Sequence, residues 1–313
     1  MQRKATLDSR EIVLMVVLAI FLAIISAWTL PVAILLMLAV IYQIMMRAIF
    51  IGPSKRVALF EDENWEHIQI KYGDVEVHGH LHLQEEVAPL VVFVHGWESS
   101  SERFIERMNL FRTKGCHTLA HDLRGHCHAP DTPEWTAGKI IADLKAVLDS
   151  LDEERISAVH LYGHSIGGFV CIGMNHSRHE GWWKEKLGTL ILESPMTVYS
   201  PIMKELTSSV PFLRPLIEKM AIRGFNLIHP DVGGLRWKDV DVPDWGMPQV
   251  PTLILQAAND KRLGLVHYNA LLSNWIEEVE LETYLIQGLS HSKNRVNEER
   301  DGLLEDWIEN RIL

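Results

Sequence analysis

The sequence predicts an α/β protein: a mostly parallel, doubly wound sheet carrying an inserted cap, preceded by a pair of membrane helices. From about residue 66 onward, apolar runs of strand length alternate with helix-like segments, the pattern of βα units building a parallel sheet. Fifty-six residues, Pro195 to Val250, interrupt that alternation. Ahead of everything lie 35 residues without a charge, between Glu11 and Arg47. With 313 residues, 47% apolar and 23% charged, the chain can bury a core and lacks the composition of a disordered one.

As one helix the uncharged run would be about 53 Å long against a hydrocarbon core of roughly 30 Å, requiring a tilt above about 50°. Ser26, Trp28, Thr29 and Pro31 cluster at its middle. That is the worst depth for polar groups in a single span, but it suits a turn at the far interface, with Trp28 among headgroups and Pro31 opening a second helix. Residues 1–56 are therefore expected to be a membrane anchor of two helices, about 12–28 and 31–50. Residues 57–194 and 251–313 are expected to be the core, and 195–250 the cap. Arg3, Lys4 and Arg10 precede the hairpin, and Arg47, Lys55 and Arg56 follow it. Basic flanks on one side place the body in the cytoplasm by the positive-inside rule. A single kinked span would put it outside instead, and a cleaved signal peptide would have a much shorter apolar run.

Thirty Lys and Arg against 41 Asp and Glu give a net charge of −11, which argues against a nucleic-acid partner. The first 56 residues carry six basic and two acidic side chains, so the body is more acidic still. Three cysteines, Cys116, Cys127 and Cys171, make no CxxC and read as reduced thiols.

Along the body, a linker from Val57 to Glu63 leads to a hairpin, His67–Tyr72 and Val75–Leu83 around Gly73-Asp74. Leu90–Val94 is continuously apolar, as a strand buried on both faces requires. Helix Glu102–Lys114, strand Cys116–Ala120, helix Thr136–Leu151 and strand Ala158–Tyr162 follow. Next come helix Ile166–Asn175, strand Thr189–Leu192 and the insertion, with helical pieces Ser200–Ser208 and Leu213–Ile228. Strand Pro251–Leu255, helix Leu265–Trp275, strand Val279–Ile286 and an amphipathic helix Glu298–Ile312 close the chain.

Gly163-His164-Ser165-Ile166-Gly167 is a G-x-S-x-G motif set between an apolar strand and an apolar helix. That context suits a nucleophile elbow: Gly163 and Gly167 permit a tight turn that presents a hydroxyl above the sheet. Alternatively, Ser165 is an N-cap and the glycines serve packing alone. A serine nucleophile needs a base. His291 follows the last strand and Asp260 the preceding one, giving the order Ser…acid…His. Glu193, ending the strand before the insertion, is the alternative acid. Singly, His291 would read as an exposed loop residue and Asp260 as a helix cap. The backbone N–H groups of Trp97, after the buried strand, and Ile166 are the candidate oxyanion donors. Trp97 could also be a pocket wall.

With His95-Gly96-Trp97, Asp122-Leu123-Arg124-Gly125-His126, the Gly163–Gly168 elbow, Asp260 and His291, the sequence resembles the α/β-hydrolase superfamily, in particular its serine aminopeptidase-like and lysophospholipase-like branch. The resemblance covers roughly residues 66–312. It implies an α/β-hydrolase fold, a cap at 195–250 and a structural turn at 122–126, where Cys127 and Ala129 stand in place of the usual Gly and Ser. The expected activity is membrane-anchored serine hydrolysis of an ester, thioester or amide, with a small molecule or an acyl lipid as substrate and the bilayer as neighbour. No cofactor and no metal are expected; the oligomeric state is left open. An acyltransferase using the same groups and a non-catalytic membrane scaffold are the alternatives.

Other features carry less. His78, His80 and His82 alternate on one strand, and His117, His121, His126 and His128 lie close in sequence, but no spacing matches an established zinc pattern. Asn175-His176-Ser177 fits a glycosylation sequon on an apolar helix. In the insertion six basic and six acidic residues balance, while Met196, Met203, Phe212, Phe225, Trp237 and Trp245 point to an apolar pocket.

Overall fold

A computed structural model describes residues 3–54 and 60–313. Lys55, Arg56 and the start of the linker at Val57 lie outside the described residues. At the N-terminus two helices, α1 (Ser9–Ile25) and α2 (Leu30–Ile49), pack side by side through a one-turn 3₁₀ connection, Ala27–Thr29. The connection forms where the polar cluster stands. Ser26 Oγ accepts from the Trp28 amide at 3.2 Å, Thr29 Oγ1 donates to the Ser26 carbonyl at 2.7 Å, and Trp28 is 92% exposed at the tip. Both helices begin earlier than the charge-free run suggests. Asp8 and Glu11 form a capping box, with Glu11 Oε2 accepting the Asp8 amide at 2.7 Å, which draws α1 back to Ser9. Ala27–Ile49 is long and apolar enough to cross a membrane by length and composition; α1, at 17 residues, is shorter. Outward-facing Leu14, Ile24, Leu35 and Leu38 leave the hairpin with an extensive exposed apolar surface.

The body is an eight-stranded, mostly parallel sheet: β1 (Glu66–Tyr72), β2 (Val75–His82), β3 (Ala88–Val94), β4 (His117–Asp122), β5 (Ile156–His164), β6 (Leu187–Glu193), β7 (Thr252–Ala257) and β8 (Leu281–Ile286). Their order is β1-β2-β4-β3-β5-β6-β7-β8, with β2 antiparallel to both its neighbours and every later pair parallel. The period-2 alternation of strands divides the core between two faces. Val92, Val94, Leu161 and Leu192 meet α4 (Ala137–Asp149), α5 (Ile166–Asn175) and α9 (Val266–Ser273) on one side. Val91, Phe93, Tyr162 and Ile191 meet α3 (Ile105–Thr113) and α10 (Glu298–Trp307) on the other. All five residues of Leu90–Val94 have no exposed surface, each worth about 1.5–3 kcal/mol if aliphatic or aromatic.

Segment ends depart from the sequence reading for local reasons. β8 starts at Leu281 rather than Val279 because the Val279 carbonyl accepts the Trp275 indole N–H at 2.9 Å, holding it in the turn. The final helix changes to π winding over Ile308–Ile312. A short helix, α6 (Trp182–Glu185), precedes β6. Residues 195–250 lie between β6 and β7 and carry α7 (Ser200–Leu206) and α8 (Arg214–Ile228). The sequon residue Asn175 is buried, donating to the Cys171 carbonyl at 2.9 Å.

Candidate active site

Ser165 sits between the end of β5 and the start of α5 with φ 55° and ψ −122°, a strained conformation for a non-glycine residue and the one an elbow demands. The surrounding glycines explain how so sharp a turn packs. A Cβ on Gly167 would fall on the Val94 carbonyl oxygen, and one on Gly163 would lie 2.6 Å from the Gly168 Cα. The Ser165 amide donates to the Glu193 carbonyl at 3.2 Å, and its own carbonyl accepts from Gly168 and Met196, both at 2.9 Å. The elbow is thus tied to β6 and to the insertion.

Two loops at the C-terminal ends of strands reach it. His291 Nε2 lies 3.0 Å from Ser165 Oγ, and His291 Nδ1 lies 2.8 Å from Asp260 Oδ2. Asp260 Oδ1 accepts the amides of Arg262 and Leu263 at 2.8 and 2.9 Å. Burial works to raise the Asp260 carboxyl, but the His291 hydrogen bond and these two amides outweigh it, lowering it to about 2. Asp260 is therefore an acceptor, not a proton carrier, at neutral pH. The arrangement can remove the Ser165 proton through His291 and offset the resulting imidazolium charge.

Glu193 does not reach His291. Its carboxylate receives Arg107 Nη1 at 2.5 Å, Arg300 Nη1 at 3.4 Å and the Tyr162 hydroxyl. Burial would raise Glu193, yet the charges of Arg107 and Arg300 lower it to about 2. Of the two carboxylates left open by the sequence, the structure brings Asp260 to the imidazole and uses Glu193 as counterion to two buried guanidiniums. Arg300 in turn holds the carbonyls of Asn294 and Arg295 at 3.2 and 2.8 Å, on the loop that carries His291. Arg103 holds the Ser292 carbonyl. His164, beside the serine, has Nε2 2.5 Å from the His291 carbonyl, and burial lowers its imidazole to about 4, so it is neutral and donates that hydrogen bond. Arg107, Arg300 and this role for His164 are not legible in the sequence, because nothing local marks a partner some 100 residues away.

Gly96 passes so close to the elbow that a Cβ there would lie 3.1 Å from Ser165 Cβ, so the chain just before Trp97 runs against the serine. Ile166 opens α5, where an amide has no intrahelical partner. Among the described residues no hydrogen bond takes up either N–H. Trp97 meets Trp135 edge to face at 4.8 Å.

An apolar cavity of about 80 Å³ adjoins Ile166 and contains walls from the core (Trp135, Phe169) and the insertion (Met203, Phe225, Trp237, Trp245). Four of the six apolar residues singled out in the insertion line it. Met196 belongs to the buried core instead, and Phe212 is 78% exposed. Elsewhere the histidines of β2 meet others. His80 Nε2 lies 3.3 Å from Asp122 Oδ2, whose other oxygen accepts from Ser101 at 2.5 Å, and His67 stacks near His78 and His128. Ligand-type atoms of His80, Asp122 and His128 lie within 4.8 Å of one another, a proximity that the alternating pattern of β2 did not foretell.

The fold and the serine–imidazole–carboxylate geometry together define a class: an α/β protein arranged as hydrolases are. The chain belongs to the alpha/beta hydrolase family, whose profile matches residues 91–301. It is 37% identical over 84 residues to a bifunctional esterase/perhydrolase of Acinetobacter calcoaceticus, covering 26% of this chain and 29% of that protein. It is 34% identical over 103 residues to an epoxide hydrolase of Caballeronia sordidicola, covering 31% and 30%. The chain thus spans between 28% and 40% of the length of the curated relatives it matches. Among solved structures it resembles the Pyrococcus furiosus esterase Pf2001, with TM-score 0.59 and 17% identity over 84% of this chain and 98% of that one. Mouse alpha/beta hydrolase domain-containing protein 10 gives TM-score 0.58 and 14% identity over 78% and 97%.

Proposed function

We propose that this protein is a membrane-anchored serine hydrolase that cleaves an ester, thioester or amide through an acyl-enzyme, with an acyl lipid ester as first substrate. The observation that carries the reading is the chain of contacts Ser165 Oγ–His291 Nε2 at 3.0 Å and His291 Nδ1–Asp260 Oδ2 at 2.8 Å. Ser165 Oγ bonds to the substrate carbonyl carbon while His291 takes its proton, and the amides of Trp97 and Ile166 receive the oxyanion. His291 returns the proton to the leaving group as the C–O, C–S or C–N bond breaks. Water then repeats the sequence and frees the acid. The esterase name of one relative agrees with this chemistry, and serine at the elbow sets it apart from aspartate-nucleophile enzymes.

A fluorophosphonate probe is expected to label the wild-type chain and not Ser165→Ala; equal labelling of the folded variant defeats the proposal. In this reading residues 1–56 anchor, 57–194 with 251–313 catalyse, and 195–250 cap the site, with the hairpin's basic flanks holding the body in the cytoplasm. A reporter active only in the cytoplasm, fused after Leu313, is expected to signal, and silence there overturns this sidedness.

A further inference from the structure

We propose that the end of the second N-terminal helix is a wall of the acyl-binding site, so that the chain of a bilayer lipid enters between α2 and the cap rather than from water. This rests on the serine-hydrolase reading and names where its substrate comes from. The cavity beside Ile166 is lined almost wholly by apolar and aromatic side chains, and two of its walls, Ile49 and Phe50, close the helix long enough to cross a membrane. The residue after the nucleophile and the end of the second helix thus line the same cavity. Tethers of any sequence could hold a soluble domain at a membrane; this hairpin is instead built into the site.

The hydrogen bonding makes that plain. The Phe50 carbonyl accepts the Trp135 amide at 2.8 Å, directly ahead of pocket residues Thr136 and Ala137. The fully buried Glu134 carboxylate accepts the amides of Ala5 and Thr6, both at 2.6 Å, and the Thr6 hydroxyl at 2.8 Å. Leu7 donates to Gln43 at 2.9 Å, and Arg47 to Ser9 at 2.8 Å, so both feet of the hairpin are fixed at one place. Between α2 and α8, Met46 and Phe50 pack with Met220 and Ile228. Gly224 permits the approach: a Cβ there would lie 2.5 Å from Phe50 Cε2. Among the described residues that seam is apolar and no ion pair crosses it, so it can part without stranding a charge. Near it the cap exposes Leu206 (70%), Phe212 (78%) and Leu216 (50%) around the α7–α8 turn, a surface suited to acyl chains and headgroup boundaries.

The test uses the full chain in phosphatidylcholine nanodiscs and a fluorophosphonate bearing a twelve-carbon chain with a terminal diazirine. Phosphorus bonds to Ser165 Oγ with loss of fluoride; irradiation then marks whatever the chain end touches. Cross-links are expected within residues 45–50 and 220–225. Cross-links confined to the strand-end loops overturn the proposal while leaving the hydrolase intact; failure of Ser165 to react at all defeats the underlying reading instead. Ile49→Trp is expected to lower, and Phe50→Ala to raise, the ratio of dodecanoyl to butanoyl p-nitrophenyl ester kcat/KM by fivefold or more. A hairpin serving only to anchor the protein leaves that ratio unchanged in both variants.

Discussion

Asp260→Asn is expected to lower kcat by about 10⁴-fold while leaving thermal stability nearly unchanged, because the exchange keeps the shape but favours the wrong imidazole tautomer. With an amide donor facing Nδ1, the proton of His291 moves to Nε2, where it cannot accept from Ser165. Glu193→Ala is expected to do the reverse in kind. It leaves Arg107, at 4% exposure, buried without its counterion, and leaves Arg300, at 0%, with Asp301 alone. Stranding buried charge costs about 3–5 kcal/mol, a large part of a domain's typical stability. Activity then falls because the protein unfolds and the His291 loop loosens. Paired measurements of kcat and denaturant midpoint separate the two carboxylates. A stable but inactive Glu193→Ala together with an active Asp260→Asn would reverse their assignment.

Stability is expected to fall steeply between pH 6.5 and 4. His160, His164, His229 and His267 are buried, and burial is the leading cause that lowers each imidazole to about 4. In the unfolded chain the same groups titrate near 6.5. Their folded values being depressed, the stabilisation they lend is whole above 6.5 and is lost as pH falls through the window to 4, since only the unfolded chain binds the protons there. Four such groups give a slope of about 5 kcal/mol per pH unit at most, so one to two units exhaust an ordinary domain's stability. Asp260 and Glu193, both lowered to about 2, add their share only below about pH 4. Urea unfolding at half-unit steps from pH 7 to 4.5 checks this; a flat midpoint shows that these imidazoles charge freely in the folded state. The consequence for function is that assays below about pH 5.5 would read unfolding rather than catalysis.

Much of this architecture is legible from residue order, and the reason differs by feature. Strands and helices of the body follow from periodicity, since Leu90–Val94 has no polar residue to turn toward water and α4 keeps one apolar face. The elbow is legible because its requirement is local: a strand, two glycines around a serine, and a helix within fifteen residues. The turn at Ser26–Pro31 is legible for the same reason, from a polar cluster and a proline that interrupt a long apolar run. By contrast, Arg103, Arg300 and His164 act on the His291 loop through side chains that meet only after folding. The gathering of His67, His80 and His128 about Asp122 depends likewise on two strands and a turn coming together.

The amino-acid sequence by itself determined the sheet, the elbow, the pair of helices ahead of them and the short roster of acids and bases near strand ends. Periodic burial and turn chemistry act over a few residues, so they are written where they act. Only the tertiary structure decided which carboxylate faces the imidazole, which one neutralises the arginines, and that Ile49 and Phe50 belong to the cavity beside the serine. Those choices turn on separations of a few ångströms between segments far apart in the chain, and such separations exist only once the core has set the loops in place.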